Sequence, residues 1–338
     1  MTAALIVQAA GPSSTLQDMG RTGWLRFGVS PAGAADPVRL AAANALVGNE
    51  QGEAAVEFTL SGDTYRVEAD RCVVAVAADA PVAVDGEDAP IWSALALRRG
   101  QTLSIGRLRS GVRGYVAVAG GFDRPPVLGS RSVHLRSGLG GGRLEAGTAL
   151  PLRAERSDAP AGLGLDPGAL PYAAGPVQVV LGPQQDRFTP EGIGTFLSVS
   201  YRVTPEADRM GIRFEGPPIA HADGFNTISD GLAPGSIQVP GTGMPIVMLA
   251  DRQSTGGYPK IATVASASLP GLGQLRPGDK VRFQAIGVAE AVALRRWQAA
   301  ALAELPARLR PLVRDAASVP AEELLGLNLV GGVVDARS

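Results

Sequence analysis

The chain has 338 residues, a formal net charge of -1, and 45% hydrophobic against 19% charged residues. That length suits two domains of about 150 residues, and the composition supports a sizeable core and excludes global disorder. The near-neutral charge, without a long basic run, excludes nucleic acid or an anionic membrane as the main partner, and no apolar run of about 18 residues predicts a membrane span.

Val-rich segments recur between 44 glycines and 26 prolines, the texture of a mainly β protein with many turns. Residues 1–10 lack the basic start and cleavage site of a signal peptide. IVQAAGP (6–12) is an apolar strand closed by Gly-Pro. TLQDMGR (15–21) and GVSPAGAADP (28–37) are polar loops leading into a helix over 36–48, with Asp36 as cap, Pro37 in the first turn and Gly48 at the end. Asp18 and Arg21 read as a pair across a turn, and Ser30 and Asp36 as caps. A helix start behind a Gly and Ser loop is equally an anion site. Cys72 lies in RCVVAVA as a small buried hydrophobe, and with no internal disulfide available a cytoplasmic location is expected.

Further on, GGFD (120–123), LGSRS (128–132) and His134 bring amides, hydroxyls and Arg131 into one loop region. Residues 154–175, rich in Ala, Gly, Pro and Asp, connect two halves that share their punctuation. VQVVLGP (177–183) repeats the Gly-Pro-closed strand, and LRPGDKV (275–281) repeats the strand-feeding turns LRRGQTL (97–103) and LEAGTAL (144–150). The expected division is a first β subdomain over 1–153, the connector, a second over 176–285, and a helical tail over 286–338, its helix lying at about 288–309. TPEADRMG (204–211) sets Asp208 and Arg209 beside a glycine, and Gln238 follows shortly after.

The stretch 249–265, LADRQSTGGYPKIATVA, concentrates the chemically costly residues. An apolar strand over 244–250 runs into Asp251, Arg252, Gln253, Ser254 and Thr255. Gly256 and Gly257 let the backbone turn or approach a ligand, Tyr258, Pro259 and Lys260 stiffen the exit, and a strand resumes at 261. Lys260 is one of two lysines among 29 arginines, so a compact phosphate-binding charge or proton donor is one reading. A hairpin loop held by an Asp-Arg pair, with Lys260 in solvent, is the other. Asp251, Arg252 and Lys260 are the catalytic candidates. Gln253, Ser254, Thr255, Gly256, Gly257, Tyr258, Asp208, Arg209, Gln238, Ser30 and Asp36 are the substrate-binding candidates.

No Walker loop, complete G-x-G-x-x-G or G-x-S-x-G occurs. His134, His221 and Cys72 do not make a zinc set, and no metal ligands are assigned. Lys260 follows Pro259 and Lys280 follows Asp279, neither in the Met-Lys setting of a biotin carrier, so no covalent biotin is expected.

Together with ANALVGN (43–49), VAGGFDRPPVLGSRS (118–132), GPQQDRF (182–188), PEADRMGIRFEG (205–216) and the long run 229–264, these loops resemble a carboxyltransferase-type family. It contains the second half of the urea carboxylase transferase domain, often termed allophanate hydrolase subunit 2, and the C subunit of the prokaryotic 5-oxoprolinase. The resemblance implies two cyclophilin-like β-barrel subdomains with few helices, and a cleft shared with a partner of the B type (allophanate hydrolase subunit 1-like). A chain of this length without carrier or biotin carboxylase segments looks more like the 5-oxoprolinase member. That implies ATP with Mg, partners homologous to the A and B subunits, and opening of a lactam to glutamate, with Arg252 and Lys260 serving a phosphate or carboxylate. Gly256 and Gly257 would then serve an oxyanion, and Asp251 a metal, a proton or Arg252. The alternatives are the carboxyltransferase subunit of a biotin-dependent enzyme and a non-catalytic regulatory partner of a B-type homologue.

Overall fold

A computed structural model describes residues 3–312. In its first half two antiparallel sheets face each other across one core. The six-stranded sheet runs Ala149–Pro151, Ala4–Ala9, Thr64–Glu68, Thr102–Ile105, Val82–Val84, Glu87–Ala89. The five-stranded sheet runs Ser13–Gln17, Ala55–Thr59, Arg113–Val118, Cys72–Ala77, Ala94–Leu97. The period-2 alternation of strands sorts the side chains. Val74, Val76, Val116, Val118, Val56 and Phe58 point inward against Leu5, Val7 and Tyr65 of the other sheet. Val73, Ala75, Ala77, Tyr115 and Ala117 point outward, and the helix Pro37–Leu46 covers them. Both faces being covered, Cys72–Ala77 and Arg113–Val118 are buried at every position, and burial pushes the Cys72 thiol up to about 12.

The helix begins as its sequence predicts. Asp36 Oδ1 accepts from the Val38 and Arg39 amides at 3.1 Å each, and Pro37 opens the first turn. The connecting segment is an ordered strap. Its Leu165 and Leu170 pack with Trp92, the covering helix, and Leu302 and Leu305 near the C-terminal end, and Leu163–Gly164 pairs with Arg310–Pro311.

The second half is an eight-stranded sheet, mixed at one edge, in the order Lys280–Val281, Tyr201–Ala207, Gly211–Glu215, Ile246–Met248, Ser236–Gln238, Lys260–Val264, Val177–Leu181, Phe283–Ala285. Its two edge strands are consecutive pieces of chain separated by Arg282 alone. Lys280–Val281 pairs antiparallel with Tyr201–Ala207, and Phe283–Ala285 pairs parallel with Val177–Leu181. The sheet therefore curls into a nearly closed barrel around Phe214, Phe283, Ile237, Val247 and Ile261. The fold is mainly β with few helices, as expected. Two details differ from the sequence reading. A helix Pro190–Ser198, capped by Thr189, lies in a segment assigned no element. Lys260 is the first residue of its strand, not part of the loop exit.

The C-terminal helices Val288–Ala303 and Leu305–Arg308 fall where expected. Gln298 Nε2 donates to the carbonyls of Pro171 and Ala267 at 3.0 Å each, tying the first helix to both the strap and the barrel. Residues 313–338 of the expected tail lie outside the described residues. Among the described residues no helix is long and apolar enough to cross a membrane.

Candidate functional site

Buried charge marks the seam between the two β units. Glu57 interrupts the apolar strand Ala55–Thr59 on the side away from the inter-sheet core. Arg209 Nη1 meets Glu57 Oε1 at 2.5 Å. Its Nε and Nη2 grip the two Asp251 oxygens at 2.9 and 2.8 Å, and Nη2 also donates to the Gly33 carbonyl at 2.7 Å. The Tyr115 hydroxyl donates to Glu57 Oε2 at 2.5 Å and accepts the Asp36 amide at 2.9 Å. Burial alone would push the Glu57 carboxyl up, but Arg209 and Arg113 overcome it and hold the group below its usual range. Asp36 Oδ2 accepts from the Tyr172 hydroxyl at 2.6 Å and from Gln274 Nε2 at 2.7 Å, yet complete burial prevails and raises its pKa. Ser30 Oγ donates across the seam to the Ala250 carbonyl at 3.3 Å.

The loop 251–259 is held by charges that diverge. Asp251 turns to Arg209, not to its neighbour Arg252. Arg252 is buried, donating from Nε to the Leu232 carbonyl at 2.8 Å and from Nη1 to the Leu249 carbonyl at 3.3 Å. It has no carboxylate partner among the described residues, and burial lowers its pKa to about 10. Lys260 is only 2% exposed. Its Nζ meets Asp230 Oδ2 at 2.6 Å and the Gly231 carbonyl at 3.3 Å, so it is not a solvent charge. Arg252 and Lys260 thus brace one target, residues 230–232, of which Asp230 and Gly231 pair in turn with Gly256 and Thr255 and the Leu232 amide donates to the Ser254 carbonyl.

Beside this loop lies a cleft with two lobes that share Arg136, Ala207, Asp208 and Met210. One, of about 490 Å³, has Gln238, Gln253 and Tyr258 on its wall. The other, of about 460 Å³, bridges the seam and has Arg113, Arg143, Arg209 and Asp251 on its wall. Asp208 caps its own turn, accepting from the Met210 amide at 2.7 Å and the Gly211 amide at 3.1 Å.

The first unit contributes the loop 134–143 to this cleft. His134 Nδ1 and Ser137 Oγ lie 2.6 Å apart, and Gly140 has φ +76° with the Ser132 carbonyl 2.3 Å from where a Cβ would stand. Only glycine fits there, and this close approach holds the backbone of the loop, which carries Arg136 and Arg143 on the cleft wall. Behind it, Asp18 accepts from Ser130 Oγ at 2.6 Å, Ser132 Oγ at 2.5 Å and the Arg131 amide at 2.6 Å. Burial opposes ionisation, but these donors hold Asp18 below its usual range. Arg21 is not hydrogen-bonded to Asp18. It donates to the Val127 and Ser132 carbonyls, and its Nη1 is buried with no partner among the described residues.

The fourteen residues singled out from sequence therefore separate. Asp208, Arg209, Asp251, Gln238, Gln253 and Tyr258 line the cleft. Arg252 and Lys260 line neither lobe and brace the loop from behind. Thr255 and Gly256 form a short strand within the loop, flanked by Ser254 and Gly257, while Ser30 and Asp36 lie in the seam. Sequence reasoning passed over Glu57, Arg113, Arg136 and Arg143. Glu57 carried a signal, a carboxylate within an apolar strand.

The family model for the carboxyltransferase domain, subdomain A and B, matches residues 27–285. The chain is 35% identical over 305 residues to the C subunit of 5-oxoprolinase from Escherichia coli (strain K12), covering 89% of this chain and 97% of that one. It is 36% identical over 292 residues to the C subunit of 5-oxoprolinase from Haemophilus influenzae, covering 84% and 91%. Among solved structures, the urea amidolyase of K. lactis superimposes with a TM-score of 0.82 at 28% identity over 93% of this chain, which spans 21% of that much longer one.

Proposed function

The chain belongs to the carboxyltransferase domain family, subdomain A and B, and from that premise we propose that it is one component of a complex that opens 5-oxoproline to glutamate with hydrolysis of ATP. The observation that carries the reading is the likeness to the C subunits of two 5-oxoprolinases over most of both chains. The two-lobed cleft is of a size suited to a small substrate and its polar groups.

A lactam is a poor electrophile. Phosphorylation of its oxygen makes the ring carbon attackable by water, and such a route needs cations near the transferring phosphoryl and donors for the tetrahedral oxyanion. We assign Gln238, Gln253 and Tyr258 to contact with the substrate. Asp251, Arg252 and Lys260 are the charges that fix the loop carrying Gln253 and Tyr258 against the cleft. ATP is the co-substrate of the assembled complex. A metal would arrive on its phosphates. Homologues of the A and B subunits complete the complex, with the B-type partner closing the cleft, and the cytoplasm supplies the ATP.

Glutamate release from 5-oxoproline tests this, using the chain alone and with its A-type and B-type partners, with and without avidin. Avidin-resistant glutamate in the full mixture is expected. Lys260→Met should lower activity with assembly intact by loosening the loop 251–259, and full activity would show that the loop does not depend on Lys260. The superposition on urea amidolyase favours a second reading, the carboxyltransferase component of a biotin-dependent enzyme acting on an amide or urea. Absence of glutamate together with avidin-sensitive carboxylation would select it.

A further inference from the structure

The seam-spanning lobe sets four arginines, Arg113, Arg136, Arg143 and Arg209, against Asp208 and Asp251. Most of these charges are already answered. Arg209 is paired with Glu57 and Asp251, Arg113 lies 3.5 Å from Glu57, and Asp208 is spent on its own turn. Arg136 and Arg143, both exposed, have no carboxylate partner among the described residues. Arg136 Nη1 reaches only Met210 Sδ, at 3.1 Å. Two guanidinium groups without a carboxylate partner among the described residues thus line one small-molecule cavity, on either side of the glycine run 138–142.

We propose that Arg136 and Arg143 bind the carboxylate of the lactam substrate and so determine that the site takes a carboxylated ring and not a neutral urea-like acceptor. The inference rests on the lactam reading above and names the residues behind its specificity. A planar guanidinium matches a carboxylate in a bidentate pair, which a neutral amide cannot form. Arg113 and Arg209 are balanced by Glu57 and Asp251, and the single charge of Asp208 still leaves the Arg136 and Arg143 side of the lobe net positive, which suits the substrate's carboxylate.

The test is steady-state kinetics of the assembled complex with ATP and 5-oxoproline, comparing wild type, Arg136→Gln, Arg143→Gln, Arg143→Lys and, as a control, Arg296→Gln on the exposed side of the C-terminal helix. Each Gln variant should raise KM for 5-oxoproline about tenfold to a hundredfold, the worth of a charge-assisted hydrogen bond. In these variants kcat should be unchanged, with Arg143→Lys intermediate and Arg296→Gln at the wild-type value. Unchanged KM in both Gln variants of an active complex overturns the inference and leaves the lactam reading standing. An equal rise in Arg296→Gln also overturns it, because the effect would then be general surface charge. A wild-type complex that makes no glutamate removes both.

Discussion

Arg209 and Glu57, 152 positions apart in sequence, meet at 2.5 Å across the seam between the two β units. Glu57 is 2% exposed and compensates Arg113 as well. Removing one member of a buried ionic network strands the others, which typically costs about 3–5 kcal/mol. Glu57→Gln should lower the unfolding free energy by that order, measured by urea denaturation, and weaken cohesion between the units. A loss near zero would mean that the seam does not depend on this charge.

The same carboxyl sets a pH dependence. Because its folded pKa lies below the ordinary 4.5, its contribution is fully present above that value and is lost as pH falls through the depressed folded one. The stability gap between wild type and Glu57→Gln should therefore narrow as pH drops below 4.5. Asp36, with a raised pKa, acts in the opposite sense. It favours the folded state as it takes up a proton between its raised value and the ordinary 3.8. A gap that widens in acid would contradict the assignment for Glu57.

Adjacent glycines of the site loop should respond differently to alanine. At Gly256 a Cβ would stand 2.5 Å from Gln238 Nε2 and 3.1 Å from Leu232 Cδ1, whereas at Gly257 the nearest atom is the Thr227 carbonyl oxygen at 3.4 Å. Gln238 also donates to the Tyr258 carbonyl at 3.2 Å. Gly256→Ala should cost about 1–3 kcal/mol by overpacking and raise KM by pushing Gln238 into the cleft. Gly257→Ala should be close to neutral in both thermal unfolding and kinetics.

Arg252 is a buried cation stabilised by two carbonyls and no carboxylate. Arg252→Met removes those hydrogen bonds but also relieves the desolvated charge, so its stability cost should stay below about 2 kcal/mol. The loss of activity should appear mainly in KM, because Gln253, the next residue, lines the cleft. A cost as large as that of Glu57→Gln would show that the charge is better compensated than the geometry indicates.

Local signals were legible where the chemistry is local. The helix Pro37–Leu46 carries cap, proline and terminal glycine within thirteen positions (36–48), and the strand expected from 261 forms from Lys260, whereas the loop before it holds a short strand, Thr255–Gly256, that no local pattern announced. The seam was not legible, because nothing near Glu57 says that its partner lies 152 residues on. Asp251 and Arg252 looked like a pair because they are adjacent, but successive side chains leave the backbone in different directions, and Arg209 offered a better fork. Gly192 and Gly194 depressed the helical signal of Pro190–Ser198. Arg136 and Arg143 flank the GLGGG run, which is incomplete as a dinucleotide motif, yet its glycines shape the mouth of the cleft.

The barrel closes through one short ribbon. Residues 280–285 supply both the first and the last strand of the eight-stranded order, so the ring of hydrogen bonds joins only when this piece is present. During synthesis, a ribosome that has released the chain as far as residue 275 has exposed the six intervening strands with two open edges. Until the ribbon emerges, Tyr201–Ala207 and Val177–Leu181 present unpaired backbone groups to any other nascent strand. Both sheets of the first unit have by then emerged and offer the Glu57 side of the seam as a template. The stage at which the emerged part of the chain ends just before residue 280 should therefore be the moment when this chain most needs a chaperone.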